Sequence, residues 1–138
     1  MFKKSGIAIL VAAMAAGAYA QQPSEFNDEV TLGQTKQSKE IKDKKKLRVT
    51  GQIIMLKGNS FITKDINEIT VEKTIFSEDN SSEVKIEKSD IFNVYGKLQA
   101  DFGGRILLKD INDIFIEGSL ISDRENSEII IKDSNKFT

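Results

Sequence analysis

Residues 49–72, VTGQIIMLKGNSFITKDINEITVE, return 45 positions later as residues 94–117, VYGKLQADFGGRILLKDINDIFIE, with 9 of 24 positions identical. The shared skeleton is Val49, Gly51, Gly58, Lys64, Asp65, Ile66, Asn67, Ile69 and Glu72, matched by Val94, Gly96, Gly103, Lys109, Asp110, Ile111, Asn112, Ile114 and Glu117. A partial third copy follows in Ile116, Gly118, Leu120, Ile131, Lys132, Asp133 and Asn135, with one extra residue between its glycine and its lysine. Such a period is compatible with a repeat array. Two and a half strand–turn–strand units in a chain this short point instead to one small closed sheet.

Around the repeat the period is two. Leu47, Val49, Gly51, Ile53 and Met55 share one face, and Arg48, Thr50, Gln52 and Ile54 the other, as a half-buried strand requires. Lys57 to Ser60 reads as a turn, Phe61 to Lys64 as a return strand, Asp65-Ile66-Asn67 as a second turn, and Ile69 and Val71 as the inward set of a third strand. Phe92, Val94, Gly96 and Leu98 continue the inward face, with Ile91, Asn93, Tyr95 and Lys97 outward. Gly51 and Gly96 sit inside well-alternated runs, where glycine marks a bulge or a sharp coil of the strand.

The ends differ in character. Lys3 and Lys4, an apolar run from Gly6 to Ala16 and the small-x-small signal Ala18-Tyr19-Ala20 make residues 1–20 a signal peptide cleaved before Gln21, which predicts a periplasmic protein. No cysteine follows that point, so a lipid anchor is excluded and the fold rests on its core without disulfides. Residues 21–46 read as a polar arm followed by a short basic helix over Lys36–Lys46. From Lys36 to Arg48 there are 7 basic and 2 acidic residues, against 11 basic and 16 acidic over residues 49–138.

Composition also removes chemistry. With no histidine and no cysteine, Ser-His-Asp and Cys-His nucleophiles cannot be built, nor zinc sites of nitrogen and sulfur ligands. The expectation is a protein with no catalytic residues, no cofactor and no metal. The turns Asp65/Asn67, Asp110/Asn112 and Asp133/Asn135 raise calcium, but each offers two or three of the six to eight oxygens needed, and Asp and Asn commonly set tight turns by bonding their own backbone.

The residues Leu47 to Lys64 (LRVTGQIIMLKGNSFITK), Asp65 and the strand Glu68 to Glu72 resemble the first three strands of the bacterial OB-fold (BOF) family of small exported, stress-linked periplasmic proteins. Val84 to Leu98 (VKIEKSDIFNVYGKL) is similar to that family's approach to its fourth strand, and Asp43 with the basic run resembles its amino-terminal helix. The resemblance covers residues 36–117. It implies an all-β fold with a small α contribution: an OB-fold-like five-stranded Greek-key barrel over residues 47–121, with an extra strand or hairpin over residues 122–138. Either the second or the third copy closes that barrel.

On a barrel, the outward residues Arg48, Gln52, Thr70, Tyr95 and Lys97 converge on one face suited to a small polar ligand or an envelope glycan. Lys42, Lys44, Lys45 and Lys46 supply a footing on an anionic envelope surface. Nucleic acid is not expected, because the barrel segment is acidic and its outer face offers one clear aromatic, Tyr95. The expected function is that of a non-enzymatic binding module that does not span the membrane after cleavage. The alternative is a structural module that docks on an envelope protein through a sheet edge.

Overall fold

The structure, a computed structural model, describes residues 28–138. The chain divides into two units at Val30/Thr31, and the fold that follows is that of the second, residues 31–138. The strands in chain order are β1 (Glu29–Leu32), β2 (Lys39–Val49), β3 (Ile53–Met55), β4 (Ser60–Val71), β5 (Ile75–Ser77), β6 (Glu83–Val94), β7 (Leu98–Ala100), β8 (Arg105–Ile116), β9 (Leu120–Ser122), β10 (Glu128–Lys132) and β11 (Lys136–Phe137).

From β2 to β9 long and short strands alternate, and within this stretch each kind stacks only on its own kind. The long strands run β2–β4–β6–β8 in parallel, with β10 and β11 both paired to β8. The short strands form a second parallel sheet in the order β3–β5–β7–β9. One long and one short strand make one coil, and the chain is a β-solenoid of about four turns.

This overturns the five-stranded Greek-key barrel. Alternation places side chains in or out but does not distinguish a parallel from an antiparallel partner. The turn at Lys57-Gly58 carries the chain from the short sheet into the long one, so β3 and β4 are not paired strands of a hairpin. Residues 122–138 are not an extra hairpin on a barrel but most of the last coil, with β10 parallel to β8. The short helix expected over Lys36–Lys46 is also absent: these residues lead into and form most of β2. Its inward positions Ile41, Lys44 and Leu47 are three apart, a spacing that imitates a helix face but here marks a bend.

That bend is built into every long strand. In β4 the inward residues are Phe61, Thr63, Ile66, Ile69 and Val71, so steps of two give way to two steps of three. Each step of three leaves two consecutive residues pointing out. At the first, Asp65 takes a left-handed backbone with φ of 58°. The equivalent residues of the other coils do the same: Asp43 (58°), Lys88 (56°), Asp110 (55°) and Asp133 (55°). A left-handed L-residue costs roughly 1–2 kcal/mol, and aspartate tolerates the conformation better than most because its short polar side chain can bond locally. The Asp-Ile-Asn motif is therefore a solenoid corner and not the tip of a hairpin.

Register gives the coil length directly. Val49 pairs with Val71, Val71 with Val94 and Val94 with Ile116, steps of 22, 23 and 22 residues, and Ile106 pairs with Ile129, a step of 23. The difference lies in the turn from short to long strand, which is Leu56–Asn59 and Asp101–Gly104 in two coils but the longer Glu78–Ser82 and Asp123–Ser127 in the others. The 45-residue repeat is thus a pair of unequal coils. Serines hold the longer turns. Ser82 donates its hydroxyl to the Asp79 carbonyl (2.8 Å) and accepts from the Asp79 N–H (3.0 Å), so the 2.8 Å bond to Ser77 takes the Ser77 proton. Ser127, its counterpart 45 residues on, accepts from the Gly103 N–H at 2.9 Å.

Inward residues stack in columns along the axis. Leu47, Ile69, Phe92 and Ile114 form one column, Val49, Val71 and Val94 a second, and Ile53, Ile75 and Leu98 a third, all buried. Burying such side chains contributes about 1.5–3 kcal/mol each, which suits a domain without disulfides. Gly96 and Gly118 mark one place where the coils approach closely. Gly96 donates its N–H to the Lys73 carbonyl (3.0 Å) and Gly118 to the Gly96 carbonyl (3.0 Å). A Cβ on Gly96 would lie 2.5 Å from the Lys73 oxygen, and one on Gly118 would lie 2.3 Å from the Gly96 oxygen. Neither is a bulge; close coil contact excludes a side chain.

Candidate functional site: two polar corners of the solenoid

The left-handed corner carries polar residues on two adjacent columns. Asp65, Lys88, Asp110 and Asp133 form one, and Asn67, Asp90, Asn112 and Asn135 the other. Two axial bonds tie the second column together: Asn112 Nδ2 donates to Asp90 Oδ1 at 3.0 Å, and Asn135 Nδ2 donates to Asn112 Oδ1 at 3.0 Å. Between the coils lies a groove of about 300 Å³ lined by Asp65, Asn67, Lys88, Asp90, Asp110 and Asn112, with Ser89 at its base.

Ser89 is unusual. It occupies an inward position that Ile111 fills in the next coil, is 5 % exposed, and its Oγ has no hydrogen-bond partner. A buried hydroxyl without a partner costs about 1–3 kcal/mol. The lining therefore offers three carboxylates, one ammonium and two carboxamides above an unsatisfied hydroxyl. This corner unites Asp65/Asn67 with Asp110/Asn112, the turns that raise calcium, but interposes Lys88. Among the described residues no group of three or more His, Cys, Asp or Glu side chains is placed to hold a metal ion.

The residues expected to bind ligand surround the other, glycine-bearing corner. Arg48 and Thr70 are register neighbours, and Arg48 Nε pairs with Glu72 Oε2. Tyr95, 46 % exposed, meets Phe115 edge to face with centroids 6.0 Å apart. Gln52 and Lys97 hold the same position two coils apart, and the intervening Thr74 accepts the Lys97 N–H at 3.3 Å. The structure thus groups Arg48 with Thr70, keeps Gln52 two coils away from Lys97, and adds Glu72 and Phe115.

The lysines of the first coil do not share a face. Lys42, Lys45 and Lys46 are exposed, with Lys42 3.7 Å from Glu40, whereas Lys44 is half-buried on the inward position that Ile66 fills in the next coil. Exposed pairs of this kind contribute little, about 0–1 kcal/mol.

Sequence reasoning overlooked Lys88, Ser89 and Asp90 as members of a site. The signal was present in the spacing of Asp43, Asp65, Lys88, Asp110 and Asp133 at alternating intervals of 22 and 23 residues. The expected signal peptide lies outside the described residues. Among the described residues no helix is long and apolar enough to cross a membrane. Comparison of the chain with protein-family models, with curated proteins and with solved structures finds no match.

Proposed function

We propose that this protein is a non-enzymatic binding module of the bacterial envelope, exported by its leader-like residues 1–20, and that it takes a hydroxyl-rich ligand of the glycan class along the Asp/Asn corner. The observation that carries this reading is the groove of Asp65, Asn67, Lys88, Asp90, Asp110 and Asn112. Donors and acceptors alternate there from coil to coil, at a strand spacing of about 4.8 Å. Sugar hydroxyls donate and accept, so they match an interleaved lining. A polyanion does not, because three carboxylates face one ammonium. Rigid parallel strands hold these side chains in place, which lowers the ordering cost of binding. Absence of histidine and cysteine from the whole sequence supports a role without nucleophilic catalysis.

Retention of the purified protein on peptidoglycan and on lipopolysaccharide, each at low and high salt, tests the reading. Retention on glycan that survives salt and is lost in Asp65→Gly/Asp110→Gly, which removes both carboxylates without straining the left-handed corner, with the fold intact by circular dichroism, supports it. No retention, or retention indifferent to that double substitution, overturns it. Retention that salt abolishes would assign binding to the first-coil lysines instead.

A further inference from the structure

The last coil is buried differently from the others. Leu120 is 46 % and Phe137 50 % exposed, whereas their register neighbours Leu98 and Ile114 are buried. Ile129, Ile130 and Ile131 are half-buried, although Ile106 and Leu108 beneath the first and third are fully so. Among the described residues, β10 ends the long sheet and β9 the short one. Glu128 donates its N–H to the Gly104 carbonyl at 3.1 Å, toward the preceding coil. Backbone groups alternate sides along a strand, so Ile130 and Lys132 also face β8, and the amides of Ile129 and Ile131 face the open edge. Such an edge is a template for another strand. Its charges lie only at the ends, Glu128 and Lys132, flanking three isoleucines.

We propose that the protein self-associates tail to tail, with β10 pairing antiparallel to β10 of a second copy about a twofold axis at Ile130. In that register Ile129 lies opposite Ile131 of the second copy, and both have edge-facing amides, which is what a hydrogen-bonded antiparallel pair requires. Ile130 meets its own symmetry mate as a non-hydrogen-bonded pair. Glu128 lies opposite Lys132 of the second copy and the reverse, so opposite charges meet twice. The order Glu-Ile-Ile-Ile-Lys complements itself when reversed, and this selects a second copy as the occupant. The axis also keeps both inward rows on one side of the joined sheet. The half-exposed Ile129 and Ile131 of each copy then continue one core, in the isologous closure typical of twofold dimers.

Sedimentation velocity on the full chain over a range of concentrations tests this, with circular dichroism melts confirming the fold of each variant. The parent is expected to dimerise. Lys132→Glu places like charges opposite each other twice and should weaken the dimer about tenfold. Glu128→Lys/Lys132→Glu restores opposite charges across the axis but gives up the ion pair of Glu128 with Arg105 (3.2 Å), so it should recover part of the loss, and Ile130→Asp should leave a monomer. A parent that stays monomeric would overturn the proposal and mean that another segment covers this edge. A dimer indifferent to Lys132→Glu and Ile130→Asp would overturn it equally.

Discussion

Replacing Gly96 by alanine adds one methyl group where two coils touch, and the outcome follows from distances. The new Cβ would sit 2.5 Å from the Lys73 carbonyl oxygen and 2.6 Å from its carbon. That oxygen cannot easily retreat, because it accepts the Gly96 N–H at 3.0 Å. Relief requires about 1 Å of backbone separation between stacked coils, and overpacking of this kind costs about 1–3 kcal/mol. Against it stands about 0.4–1 kcal/mol from the less flexible unfolded chain. The net loss is about 1.3 kcal/mol at the midpoints of the two ranges. With an unfolding entropy of about 2.1 cal/mol/K per residue over a unit of this size, Tm should fall by about 6 °C. Gly33 is the internal control, since a Cβ there meets nothing within 4 Å. Gly33→Ala should leave Tm unchanged or raise it slightly. Thermal melts followed by circular dichroism at 218 nm are the assay. A Gly96→Ala protein melting within about 2 °C of the parent would refute the close contact of coils at this corner.

Three further substitutions probe the groove, the core and the glycine-bearing corner. Lys88 is the one member of the left-handed column that is not aspartate, so Lys88→Gly should raise stability by about 1 kcal/mol in a denaturant titration. The same substitution should weaken glycan retention, because it removes the groove's ammonium. Thr63 is fully buried and its Oγ1 has no partner, so Thr63→Val should raise stability by about 1 kcal/mol, read as a higher Tm. Tyr95→Ala removes an edge-to-face contact with Phe115 from a half-exposed position and should cost no more than about 1 kcal/mol. A large drop in its denaturation midpoint would mean that Tyr95 packs inward.

Much of the burial pattern was legible. Alternation correctly assigned Leu47, Val49, Ile53, Met55, Ile69, Val71, Phe92, Val94 and Leu98 to the core. The partner of each strand was not legible, because side-chain alternation is the same in parallel and antiparallel sheets. The true period was hidden by two lysines. Lys73 stands where the other coils have Gly51, Gly96 and Gly118, and Lys88 stands where they have aspartate, so copies align at 45 residues and not at 22 or 23. β2 was disguised by its lysines, whose helix propensity is overridden by the parallel template that β4 presents to it. The expected ligand residues were placed on the outer surface, but the groove of the opposite corner emerges only when consecutive coils are stacked.

Neighbouring long strands run parallel one coil apart, and a cysteine pair measures this directly in a chain that has none of its own. Thr70 and Asn93 are register partners on the outward face of β4 and β6. Adjacent strands place paired Cα atoms about 5 Å apart, within disulfide range. Thr70→Cys/Asn93→Cys should form an intramolecular disulfide under mild oxidation, seen by intact mass and by a gel shift that reductant reverses. Thr70→Cys/Lys97→Cys, offset by four residues along the same chain, should not. Failure of the first pair to close while the second closes readily would contradict the parallel solenoid.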